Sequence, residues 1–177
     1  MPARGSGDFL EVISMRVPVQ VHFDEADPRG VLFFGRILTL AHRLFEEHVV
    51  PRLVPRWEDW FASEELAVPI RHAEASFSRP MRPGVQHAAE IEVAEVGATS
   101  FTVRTRFLEA AEGTRMCAET RVTHVFVEGR TWAKREIPPE IRARLESLRA
   151  GTTATPAAPS GISPGPSGES SPPPRAA

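Results

Sequence analysis

The chain has 177 residues, 41% of them apolar, and a formal net charge of −2, the profile of one globular domain with room for an appendage. That charge balance excludes a polycationic nucleic-acid binder, and no apolar run approaches the ~20 residues needed to span a bilayer. A single cysteine, Cys117, excludes a disulfide framework and a cysteine-based metal site within one chain.

Residues 1–14 read as an N-terminal extension. They carry acids and no sustained apolar core, unlike a signal peptide, so the cytoplasm is the expected compartment. Val17, Val19, Val21 and Phe23 then alternate with polar residues, the period of a half-buried strand. From Phe34 the period changes. Phe34, Ile37, Leu38, Ala41, Leu44 and Phe45 follow helical spacing, and the prolines of VVPRLVP are expected to stop that helix. Strands are predicted at about 66–78, 85–96, 99–109 and 115–128, with Gly84, Gly97, Gly113 and Gly129 at or near their ends. IPPEIRARLESLRA reads as a short closing helix with proline in its first turn. Residues 151–177 are a Pro/Ser/Gly-rich segment with almost no apolar bulk, expected to be a disordered tail. The order predicts an α+β domain over residues 15–150: one long central helix packed on a largely antiparallel five-stranded sheet.

The most informative stretch is VHFDEADPRGVLFFGRI, residues 21–37, where acids precede a Pro-Arg-Gly turn and an apolar helix. The pattern F-x-x-x-D-P-x-G-[IV]-[VL]-[FWY]-[FWY] is present as Phe23, Asp27, Pro28, Gly30, Val31, Leu32, Phe33 and Phe34. With the order of elements from Val17 to Leu145, it resembles the hotdog-fold thioesterases. The branch it is most similar to is that of 4-hydroxybenzoyl-CoA thioesterase and its acyl-CoA thioesterase relatives. VPIRHAEASFSRP, similar to the family's second strand, and REIPPEI, similar to its closing segment, support the match.

The resemblance implies a single hotdog domain that hydrolyses the thioester of a bulky or aromatic acyl-CoA. No metal or redox cofactor is implied, since coenzyme A is part of the substrate. A homodimer or homotetramer is expected, because a sheet wrapped round one helix leaves edge strands for a two-fold partner. By position, Asp27 is the carboxylate beside the thioester carbonyl, acting as nucleophile or as base on water. Phe34 supplies the backbone N–H to the carbonyl oxygen, and Phe33 lies by the substrate. Chemistry agrees: unpaired N–H groups at a helix N-terminus stabilise charge developing on oxygen, and a carboxylate beside them can attack or take a proton. Gly30 would let the turn fold tightly, and Glu25, matching a frequent family acid, would tether it. The plainer reading of Asp27 is a helix N-cap ahead of proline.

Eight residues separate Phe34 from His42, ~12 Å along a helix and ~80° around it, so His42 either lines a deeper acyl pocket or meets a partner subunit. The 4-hydroxybenzoyl enzymes carry an acid at the matching position, against the substrate's phenol. Trp57, Trp60 and Phe61 either cover the acyl group or anchor the connection in the core. Glu46 and Glu47 read as an exposed helix face and His124 as a hydrogen-bonded core residue. His22, His48, His72 and His87 show no metal-site spacing. Coenzyme A phosphates need cations. Tyrosine is absent and Lys134 is the only lysine, so the candidates are Arg79, Arg82, Arg104, Lys134 and Arg135. EVGATSF stands where the family's basic cluster precedes its fourth strand. The alternatives are a hydratase or dehydratase, for which His22 is the nearest histidine to Asp27, and a non-catalytic acyl-CoA-binding protein.

Overall fold

The computed structural model describes residues 15–61, 63–110 and 115–149. The N-terminal extension, Gly113 and the C-terminal tail named above lie outside them. One antiparallel sheet has the order β1–β4–β5–β6–β3, with β1 Met15–Val19, β3 Ile70–Phe77, β4 His87–Val96, β5 Ser100–Glu109 and β6 Arg115–Val125. Against one face lies α1 (Arg36–Leu44), which runs on through a wider π-type turn at Phe45–Val49 into α2 (Val50–Leu53). Ile37, Leu40, Leu44, Phe45 and Val49 of that continuous helix are buried against Ile91, Val93, Phe101, Val103 and Phe107 of the sheet. This is the expected α+β hotdog arrangement: a long helix held by a five-stranded antiparallel sheet.

Four boundaries differ from expectation, each for a local reason. The first strand stops at Val19. Val21 stays buried, but the chain tightens into a 3-10 turn at Phe23–Glu25 that leaves Phe23 exposed. The Glu25 N–H donates to the His22 carbonyl at 3.2 Å, and Glu25 Oε2 accepts the His22 N–H at 2.9 Å, which ends the strand pairing. The long helix begins at Arg36 rather than Phe34, with Gly35 as its N-cap.

The long helix ends within VVPRLVP as expected, but at the second proline, with Pro51 accommodated inside it. Lacking an N–H, Pro51 cannot serve the Glu47 carbonyl one turn back, and the helix widens there; separately, the Arg52 guanidinium donates to the His48 carbonyl. The helix ends at Val54, which turns extended ahead of Pro55.

The expected strand 66–78 divides at Pro69. β2 (Leu66–Ala67) leaves the main sheet to pair with β7 (Val127–Glu128), while β3 stays in it. Between α2 and β2, the short helix α3 (Glu58–Phe61) carries Trp60 into the core. The closing helix α4 (Pro139–Arg149) forms as read, burying Ile141 and Leu145. Arg144 ties α4 to the end of the long helix by donating to the Leu53 carbonyl at 3.1 Å.

Candidate active site

Residues 26–32 form a small hairpin: Ala26 and Leu32 bridge, and the Asp27 N–H donates to the Val31 carbonyl at 2.8 Å. The loop between is Pro28-Arg29-Gly30, and the Gly30 N–H returns to the Asp27 carbonyl at 2.9 Å. Gly30 has φ +74°, a left-handed conformation open to glycine and costly for other residues. Proline in the second position of the turn presets its φ. These residue types at this spacing therefore make the turn, and the turn sets the position of Asp27.

The half-buried Asp27 side chain caps this hairpin and not the long helix, so the N-cap reading fails in its original form. Its Oδ1 accepts the N–H groups of Arg29 at 2.8 Å and Val31 at 3.3 Å. Oδ2 has no partner among the described residues. One oxygen is thus fixed by the backbone and the other is available to a reactant. Two further bonds hold the hairpin down: Leu32 N–H to Met81 O at 2.8 Å and Phe33 N–H to Glu25 O at 2.9 Å. Glu25 does tether the turn, through this carbonyl and through its carboxylate on the His22 N–H, with Arg43 3.8 Å away.

Beyond Leu32 the chain enters α1. The amide of Phe34 precedes the first helical turn and finds no acceptor among the described residues, as a helix N-terminus dictates. The rings of Phe33 and Phe34 lie 4.7 Å apart and are both exposed. Gly35 permits this: a Cβ there would lie 3.0 Å from the Phe33 ring. A groove of about 340 Å³ beside the hairpin is lined by Val31, Phe34, Phe77, Arg79 and Met81 among others. The structure therefore gathers Asp27, Gly30, Phe33, Phe34 and Arg79 at one end of the sheet. Arg82 is exposed on the following loop, its N–H 3.4 Å from His87 Nε2.

His42 lies further along α1, partly exposed, with Nε2 3.0 Å from Glu46 Oε1. Its ring meets Phe61 edge-on at 6.4 Å, and Phe61 stacks on the exposed Trp57 at 4.6 Å. Behind it His124 is buried, stacked between Phe45 at 4.4 Å and Phe101 at 5.0 Å. Burial chiefly, and His42 secondarily, pull the His124 pKa down to about 4 against a hydrogen bond to the Val68 backbone, so it stays neutral. It is a core histidine, as read from the sequence, but its Nδ1 finds no hydrogen-bond partner among the described residues.

Two nominated contacts move elsewhere. Trp60 is 4% exposed, packed edge-on against Phe45, Phe101 and Phe126 at centroid distances of 5.9, 6.1 and 5.9 Å. It anchors the core and reaches no groove. Arg104 is ion-paired to Glu92 across the β4–β5 pair, and Arg106 pairs with Glu90 beside it. Their strand neighbours Val103, Thr105 and Phe107 are the residues that point inward, so Arg104 lies on the sheet face away from α1. Lys134 and Arg135 lie at the far end of the sheet, beside the β2–β7 ribbon. Arg130 and Trp132 of the same hairpin were not singled out by sequence reasoning. Their signal was a tryptophan among cations in GRTWAKR, outside any apolar period. Among the described residues no group of three or more metal-ligating side chains converges, and no helix is long and apolar enough to cross a membrane.

A long helix held by a five-stranded sheet, with a backbone-fixed carboxylate ahead of its N-terminus, is a hotdog-type arrangement. The chain belongs to the Thioesterase-like superfamily, whose model matches residues 21–145; it is a thioester hydrolase. It is 31% identical to a 1,4-dihydroxy-2-naphthoyl-CoA hydrolase of Nostoc punctiforme over 73% of this chain and 84% of that one. A protein of the same name from Trichodesmium erythraeum is 26% identical over 73% of this chain and 93% of its own. The crystal structure of a 1,4-dihydroxy-2-naphthoyl-CoA thioesterase from Synechocystis superposes with a TM-score of 0.69 at 19% identity, covering 76% of this chain and 97% of that chain. That likeness carries the fold.

Proposed function

We propose that this protein is an acyl-CoA thioesterase of the 4-hydroxybenzoyl-CoA thioesterase type, releasing a bulky or aromatic acid and free coenzyme A. The observation that carries the reading is Asp27: one carboxylate oxygen held by two backbone N–H groups, the other unpartnered, on the hairpin that leads into α1. The thioester carbonyl lies between that free oxygen and the Phe34 amide. As the carboxylate attacks the carbonyl, or draws a proton from an attacking water, the Phe34 N–H and the helix N-terminus stabilise the charge that develops on oxygen. The thiolate of coenzyme A then leaves; on the base route the acid is formed directly, and on the nucleophilic route water hydrolyses the acyl–Asp27 anhydride to release the acid and restore the carboxylate. No resident cofactor or metal is needed, and a cytoplasmic setting fits the substrate.

Phe33 and His42 border the acyl group in this reading, with Trp57 at the margin; Arg79 and Arg82 face the mouth. The aromatic preference is supported by the exposed Phe33–Phe34 pair and by the naphthoyl substrates in the relatives' names. Hydration chemistry is disfavoured because no histidine pairs with Asp27 among the described residues.

The working form is a homodimer or a tetramer built from it. Every residue of β3 is exposed, Ile70 and Phe77 included, although β3 is an eight-residue edge strand. Long, flat apolar edges are ordinarily covered, and a second β3 packed antiparallel would cover this one. Incubation with benzoyl-, phenylacetyl- and medium-chain acyl-CoA, with free thiol monitored, separates the readings. Thiol release supports hydrolysis; tight binding without release would identify a binding protein, and turnover of enoyl-CoA alone a hydratase.

A further inference from the structure

Trp132 is held at φ +60°, a left-handed conformation that a bulky residue rarely takes. Its surroundings over-determine that strain. The Trp132 N–H donates to the Glu128 carbonyl at 2.9 Å, and Glu128 N–H to Ala133 O at 2.9 Å. Gly129 packs so closely that a Cβ would lie 2.3 Å from Glu64 O. A rigid hairpin thus displays an indole that is 64% exposed and meets no other ring among the described residues. Arg130 and Lys134 flank it, both exposed and without a carboxylate partner among the described residues. Beside them a concavity of about 300 Å³ is lined by Glu128, Ala133, Lys134 and Arg135. Arg135 is partly engaged, 3.4 Å from the Glu65 carbonyl.

A flat aromatic face next to free cations matches a planar heteroaromatic base carrying phosphate. We propose that the Trp132 hairpin is the nucleotide-binding surface of this thioesterase, with the adenine of coenzyme A stacked on Trp132 and its phosphates paired with Arg130 and Lys134. The inference rests on the acyl-CoA reading for its ligand. The hairpin lies at the Ile70 end of β3 and the Asp27 turn at the Phe77 end. Antiparallel pairing of two β3 edges brings the hairpin of one copy toward the Asp27 turn of the other.

The test compares one acyl group carried on coenzyme A with the same group on pantetheine, which lacks the nucleotide. In Trp132→Ala the KM for the acyl-CoA should rise on the order of tenfold, with kcat retained and the pantetheine ester unaffected. Trp132→Phe should recover part of the loss. Trp132→Gly relieves the backbone and should raise Tm while losing the same affinity, so poor folding cannot account for the effect. An equal change with both thioesters, or with neither, overturns the proposal and leaves the thioesterase reading standing. If neither thioester is hydrolysed, titration with adenosine bisphosphate decides. Quenching of tryptophan fluorescence that disappears in Trp132→Ala upholds the surface as a nucleotide site, and no quenching overturns it.

Discussion

Replacing Asp27 by asparagine separates reaction from support. In the structure Oδ1 accepts two backbone N–H groups, at 2.8 and 3.3 Å, and an asparagine amide oxygen can accept both. Bonds to a neutral acceptor are weaker than to a carboxylate, so the turn should lose less than ~1 kcal/mol. Asp27→Ala removes both hydrogen bonds, at about 0.5–1.5 kcal/mol each, and should lower Tm by several degrees. The chemical loss is larger than either. Without a carboxylate base or nucleophile, kcat should fall by ~10²–10⁴, equivalent to about 3–5 kcal/mol in the barrier. Thiol release under saturating acyl-CoA gives kcat, and thermal denaturation of the same preparations gives the stability side. Asparagine should therefore be nearly as stable as wild type and nearly inactive, and alanine both less stable and inactive. An asparagine variant with close to wild-type turnover would reduce Asp27 to a turn residue and move the search to Glu46, which stands against His42.

His42→Asp should favour acyl groups with a para-hydroxyl by ~1–3 kcal/mol, read as relative kcat/KM for hydroxylated and plain benzoyl-CoA; an unchanged ratio removes His42 from the acyl site. His124 titrates near 6.5 when unfolded and at about 4 when folded, so the unfolded chain binds the extra proton between those values. Stability should fall by roughly 3 kcal/mol as pH drops through that window. Denaturant titrations at both ends measure it, and a His124→Phe variant with the same pH slope would refute the assignment. Ile70→Glu combined with Phe77→Glu should yield monomers by sedimentation and reduce turnover; an unaltered mass would place the subunit contact elsewhere. Deleting residues 152–177 should leave Tm and kcat unchanged because that segment has little apolar content; a drop of several degrees would move the domain end into it.

Periodicity carried most of the fold. β4 and β5 read cleanly because Ile91 and Val93, and Val103 and Phe107, alternate toward one helix. It failed where a local bond outweighed the pattern. Phe23 kept the strand period, yet the Glu25–His22 bonds turned the chain first. Pro51 looked like a stop, but the helix widens at Phe45–Val49 and runs on to Leu53, ahead of Pro55.

The Asp27 turn was legible because Asp-Pro-x-Gly has few conformational solutions, and Gly30 adopts the one that glycine allows. The cations were harder to read. An arginine on a strand gives no sign of its face, and Arg104 is spent on Glu92 while Arg130 has no carboxylate partner among the described residues. Trp57, in the turn that leads into α3, and Trp60, within it, lie three residues apart, yet only Trp60 is buried. Spacing alone does not separate a core anchor from an exposed ring.

The central claim is hydrolysis of an aromatic acyl-CoA, and the ratio of kcat/KM for benzoyl-CoA to that for octanoyl-CoA tests it most directly. The arrangement of Asp27, the Phe34 amide and the phenylalanine pair predicts measurable turnover with the aromatic ester favoured on the order of tenfold or more, since one fitted apolar group is worth ~1–3 kcal/mol. A ratio below one, or no thiol released from either ester, would contradict it.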